Sequence, residues 1–73
     1  MSAKDQSFKE KLGKTIEEKR LQRNFGVREF AFLADIEHHQ LINIEKGRVD
    51  IRLSTLLKIA HGLNVEPKEL LEF

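Results

Sequence analysis

The sequence has no cysteine, one proline and four glycines in 73 residues. Without thiols, neither a disulfide framework nor a thiolate zinc site can hold so short a chain together. One domain of this length lies near the lower limit for an independent core. The apolar 40% of its residues must therefore pack unaided or with help from a second subunit. No apolar run approaches the roughly 20 residues that span a bilayer. The N-terminus also lacks the apolar centre of a signal peptide, and both absences point to the cytoplasm. Strong charge of one sign is missing too: the net charge is +1, short of the basic excess common in nucleic-acid binders. Cations crowd residues 4–23, whereas from 24 to 47 only Arg28 and Lys46 stand against Glu29, Asp35, Glu37 and Glu45. No nucleophile, base and orienting group share a recognisable spacing, and there is little room for an enclosed pocket, so the chain does not read as an enzyme.

What is present is helical pattern and its punctuation. Ser7-Phe8-Lys9-Glu10 has the form of a capping box and predicts a first helix from Ser7 to about Arg23, after a flexible N-terminus of residues 1–6. Phe8, Leu12, Ile16 and the stem of Lys19 would line its inner face, and Asn24 would end it. Gly26 can cap a second helix over about 27–34, and a third covers about 38–46. After a loop at 48–52, a fourth helix would bury Leu53, Leu56, Leu57, Ile59 and Ala60 before Gly62 stops it. Pro67 opens a fifth, which ends in Leu70, Leu71 and Phe73. The expected fold is all-α: one compact five-helix domain over residues 7–73.

The stretch from Val27 to Gly47 organises the rest. Val27, Phe30, Ala31 and Ala34 share one helix face, and Leu41 and Ile44 share another. Asp35-Ile36-Glu37 breaks the pattern between them, Ile36 offers an apolar plug for the angle, and Gly47 suits a left-handed stop. Two helices across so tight a turn make a helix-turn-helix at about residues 27–46, whose second helix can enter a DNA major groove. His38 and His39 begin that helix, where base edges are reached first; Gln40 and Asn43 can pair bidentately with adenine. Ile42 would be exposed and could meet a thymine methyl. Metal binding has little support: adjacent histidines point about 100° apart on a helix, His61 is distant, and cysteine is absent.

Phe30-Ala31, Ile36, Leu41 and Ile44-Glu45-Lys46-Gly47 resemble the motif of the Cro/lambda-repressor-type (XRE-family) helix-turn-helix domain. Ser54-Thr55-Leu56-Leu57-Lys58-Ile59-Ala60, with Leu63 and Val65, is similar to the fourth-helix pattern of that family. The likeness covers residues 8–73. It implies a structural ion pair between Arg20 and Glu45 that fixes the third helix to the first. It implies phosphate contacts from the N-terminus of the second helix with Arg28, and from Lys46 and Arg48 after the third. It also implies dimerisation through the C-terminal end, where Leu70, Leu71 and Phe73 supply apolar surface. Four positions depart from the pattern: Val27 for a polar residue, Asp35 for the turn glycine, Glu37 for a capping serine, and Ile42 for a small polar residue.

The function expected is sequence-specific binding of double-stranded DNA by a repressor-like transcriptional regulator. It would act as a homodimer on an inverted repeat, without cofactor, metal or membrane. A restriction–modification controller and the antitoxin of a toxin–antitoxin pair are both open. The alternative is a protein–protein interaction module, or antitoxin-type partner protein, that retains the fold.

Overall fold

The computed structural model describes residues 3–73 and contains α1 (Ala3–Gln22), α2 (Val27–Ala34), α3 (His38–Glu45) and α4 (Leu53–Leu63), closed by a 3₁₀ helix at Pro67–Leu71. Among the described residues there is no strand. The fold is thus all-helical as the sequence implies, with one correction: the fifth element is 3₁₀, not α. Pro67 does open it, and the Glu69 carboxylate accepts the Glu66 N–H at 2.6 Å, but five residues give it fewer than two turns.

The same device ends all four α-helices. Asn24, Asp35, Gly47 and Asn64 adopt left-handed φ of 60°, 59°, 70° and 58°. At each, the left-handed residue's N–H returns to the carbonyl three residues back, and the next N–H to the carbonyl five back. Gly47 N to Ile44 O and Arg48 N to Asn43 O are both 3.0 Å, for example. These are Schellman motifs, and Phe25, Ile36 and Val65, which follow three of the left-handed residues, pack on the core as that motif favours. Asn64, not Gly62, therefore ends α4. Gly62 lies inside the helix, where a Cβ would stand 3.1 Å from the Phe30 ring, so its smallness lets α4 close on α2.

The core joins Leu12 and Ile16 of α1, Phe30, Ala31 and Ala34 of α2, Leu41 and Ile44 of α3, Leu56, Ile59, Ala60 and Leu63 of α4, and Leu70. Leu53 and Leu57 are not in it, being 70% and 47% exposed. The buried stripe of α4 is narrow; Leu57 sits about 100° round the helix from Leu56, and Leu53 is the helix's first residue. Phe8 is likewise exposed and meets the Phe73 ring edge to face at 5.0 Å.

Ser7 caps nothing. The helix is already under way at Ala3, with Asp5 in its first turn, where an acidic group is favoured by the helix dipole. The Gln6 amide donates to Gly47 O at 3.0 Å, tying this first turn to the end of α3. Of the N-terminus expected to be flexible, residues 3–6 are helical, and Met1 and Ser2 lie outside the described residues.

Candidate nucleic-acid interface

α3 is pinned at both ends. At its N-terminus the Glu37 side chain accepts the His39 N–H at 2.9 Å, so a carboxylate does the capping that a serine commonly performs. That hydrogen bond, aided by the charge of the neighbouring imidazoles, holds the Glu37 carboxyl below the ordinary glutamate value.

At the other end Arg20 reaches across from α1. Its Nε donates to Glu45 Oε2 at 2.7 Å, its Nη2 to Glu45 Oε1 at 3.0 Å, and its Nη1 to the Phe25 carbonyl at 2.8 Å. One planar side chain therefore joins α1, the turn before α2 and the last residue of α3. Only about a twentieth of either side chain is exposed. Hydrogen bonding to Glu45 holds Arg20 above its ordinary pKa against the opposing effect of burial. The close approach has a backbone cause as well. Gly13 of α1 lies against the end of α3, where a Cβ would stand 2.6 Å from the Glu45 carbonyl oxygen. Neither the glycine nor its partner follows from helical spacing.

With Leu41 and Ile44 turned inward, the outer face of α3 carries His39, Gln40 and Asn43, beside a groove that Val49 and Arg52 line from the following loop. His39 and Gln40 are exposed and Asn43 is half-buried; Gln40 reaches the Thr55 hydroxyl at 3.5 Å. His38 is half-buried and does not line that groove, and Ile42 is half-buried rather than free. Arg48 donates to Asn43 Oδ1 at 3.3 Å, which links a phosphate candidate to a base-reading candidate. Lys46, at the C-cap of α3, and Arg28, in the first turn of α2, are exposed.

Two expectations change. Leu70 is fully buried beneath the 3₁₀ helix, so it closes the core and leaves Leu71 and Phe73 as exposed surface, at 44% and 47%. Beside the two histidines stands a carboxylate, that of Glu37. His38 Nδ1 and His39 Nδ1 stand 3.3 and 3.2 Å from Glu37 Oε1, and the two rings are 4.0 Å apart. A glutamate at an N-cap followed by two histidines was the signal, and it lies outside the i, i+3 and i, i+4 spacings of a helical metal pair.

The profile of the helix-turn-helix domain family matches residues 13–72. The control protein C.BamHI of Bacillus amyloliquefaciens is 32% identical over 62 residues, which cover 84% of this chain and 76% of that protein. The restriction–modification controller protein C.AhdI of Aeromonas hydrophila superposes with a TM-score of 0.82 at 30% identity, over 84% of this chain and 92% of its own. An HTH_3-family transcriptional regulator of Vibrio cholerae superposes at 0.86 with 27% identity, over 90% of this chain and 37% of its own. Motif, fold and matches agree: the chain belongs to the helix-turn-helix domain family, of the Cro/lambda-repressor type.

Proposed function

We propose that this protein is a transcriptional regulator that binds duplex DNA as a homodimer and represses by occupying an inverted repeat. The observation that carries this is the outer face of α3. It presents His39, Gln40 and Asn43 to one side and is clamped to the scaffold by a buried bidentate ion pair. A reading helix needs that rigidity, because base discrimination rests on hydrogen bonds of fixed geometry. His38 completes the set at the first residue of the helix. Arg28 at the start of α2, with Lys46 and Arg48 after α3, holds phosphates and sets register. The likeness to two controller proteins favours a restriction–modification controller over an antitoxin. Such a protein works in the cytoplasm, and no helix is long and apolar enough to cross a membrane among the described residues.

The homodimer uses the face where Phe8, Leu71 and Phe73 are exposed beside Val49 and Ile51. That face adjoins the loop flanking α3, so two copies meeting there bring both reading helices to one side.

Selection of sites from a random duplex library tests the reading. Enrichment of an inverted repeat with half-sites about one helical turn apart is expected. Affinity for that site should fall steeply with salt as condensed counterions are released. No enriched sequence and no salt-sensitive binding would overturn it, leaving a scaffold that binds another protein.

A further inference from the structure

We propose that Glu37, His38 and His39 form a binding site for a divalent transition-metal ion, of the zinc type, at the N-terminal corner of α3. Each residue offers one ligand atom, and the three atoms lie within 4.8 Å of one another. Zinc–nitrogen and zinc–oxygen bonds of about 2.0–2.2 Å place tetrahedral ligands roughly 3.3–3.5 Å apart. The distances from Glu37 Oε1 to the two Nδ1 atoms, 3.3 and 3.2 Å, already match those edges. Ligation requires each Nδ1 to be unprotonated, so ion binding displaces any proton held there.

Capping does not exhaust the carboxylate. Glu37 spends one of about four lone-pair positions on the His39 N–H, which holds the side chain in place and leaves the others for an ion. The half-buried His38 is restrained by its surroundings, and the His39 ring lies against it, tilted by 36° with centroids 4.0 Å apart. Two imidazoles and one carboxylate suit zinc, nickel, copper or iron better than magnesium or calcium, which take oxygen ligands. Three protein ligands leave coordination positions open on the outer side, where the side chains of Glu37 and His39 are 60% and 73% exposed.

A consequence rests on the DNA-binding reading given above. A bound divalent ion offsets the Glu37 carboxylate and makes the corner more positive. It lies at the end of α3 that reaches base edges first, so bound metal removes a repulsion and adds a Lewis acid facing the duplex. Metal tightens DNA binding.

The test uses the full chain, freed of metal with chelator, and Zn²⁺ or Co²⁺ as probe. Calorimetric titration with Zn²⁺ should show one ion per chain. Co²⁺ should give the visible bands of a low-coordinate site. His38→Gln, His39→Gln and Glu37→Gln, each checked for native helicity, should weaken binding roughly tenfold or more, whereas His61→Gln leaves it unchanged. No saturable binding, binding insensitive to all three variants, or one ion shared by two chains would overturn the proposal. A final arm measures DNA affinity with and without Zn²⁺. Tightening in the parent but not in His39→Gln is expected. Saturable metal binding by a chain with no DNA affinity under either condition would overturn the DNA-binding reading and leave the site standing.

Discussion

Arg20 and Glu45 show how a single residue pair can govern the placement of α3. Both side chains are almost wholly out of solvent, so removing one strands the other's charge in a poor dielectric. Breaking such a pair costs about 3–5 kcal/mol, whereas replacing both partners by apolar residues of similar size costs far less. Glu45→Ala should therefore lower the urea midpoint severely, and Arg20→Met with Glu45→Leu should recover much of the loss. Equal destabilisation by the single and double changes would mean the pair is only packed, not electrostatically coupled. Gly13 gives a sharper sign test. Glycine to alanine inside a helix ordinarily stabilises by up to about 1 kcal/mol. Here the new methyl meets the Ile44 and Glu45 carbonyl oxygens, so Gly13→Ala should destabilise by roughly 1–3 kcal/mol. A raised melting temperature would show that α1 and α3 can separate freely.

At the scale of the element, what could be read in the sequence was local and what could not was tertiary. Asn24 and Gly47 were legible as left-handed positions, because few residue types tolerate that conformation and the apolar pattern breaks beside each, whereas Asp35 was marked only by standing where the resembled family has its turn glycine. The start of α1 was not, since Ser7-x-x-Glu10 is a sound local signal that loses to an anchor from the far side of the fold, Gln6 on Gly47. Leu53 and Leu57 were misplaced for a related reason. Periodicity identifies an apolar face but not how much of it a five-residue 3₁₀ helix can cover. Within the candidate site, the spacing of Arg20 and Glu45 carried no information by itself; the family resemblance supplied it. The Glu37 cluster escaped because its ligands converge through a cap and not through a helical repeat. One element-level prediction follows from the turn itself. Asp35 holds φ 59°, and its side chain makes an exposed contact to Lys58 at 3.8 Å in return. Left-handed backbone costs an ordinary residue roughly 1–2 kcal/mol, with aspartate at the low end and glycine free of it. Asp35→Gly should raise stability by up to about 1 kcal/mol in thermal unfolding. A loss instead would mean that the Lys58 contact to the Asp35 carboxylate carries more than its exposure implies, since the 3.3 Å hydrogen bond from Lys58 to the Asp35 carbonyl is to backbone and survives the change.

For the whole molecule, the difficulty is a net charge of +1 on a protein that must approach a polyanion. One copy offers few phosphate contacts, and each neutralised phosphate contributes only about one counterion to the salt slope. Two copies on one duplex double that number, and the second binding event becomes effectively intramolecular, which raises affinity by 10² or more on the order of ordinary bivalent systems. Affinity should thus depend on the dimer more than on any single cation. Leu71 and Phe73 allow this to be tested without harming the core, because both are about half exposed whereas Leu70 is fully buried. On the proposed dimer, Leu71→Glu combined with Phe73→Glu should keep native helicity and yield a monomer in sedimentation at concentrations where the parent associates. Its affinity for the selected inverted repeat should fall by roughly 100-fold, and its salt slope should approach half the parent value. A variant that remains dimeric would move the interface elsewhere, first to the exposed Leu53 and Leu57 of α4. A monomeric variant that binds as tightly as the parent would mean that one α3, with the charges around it, suffices for recognition.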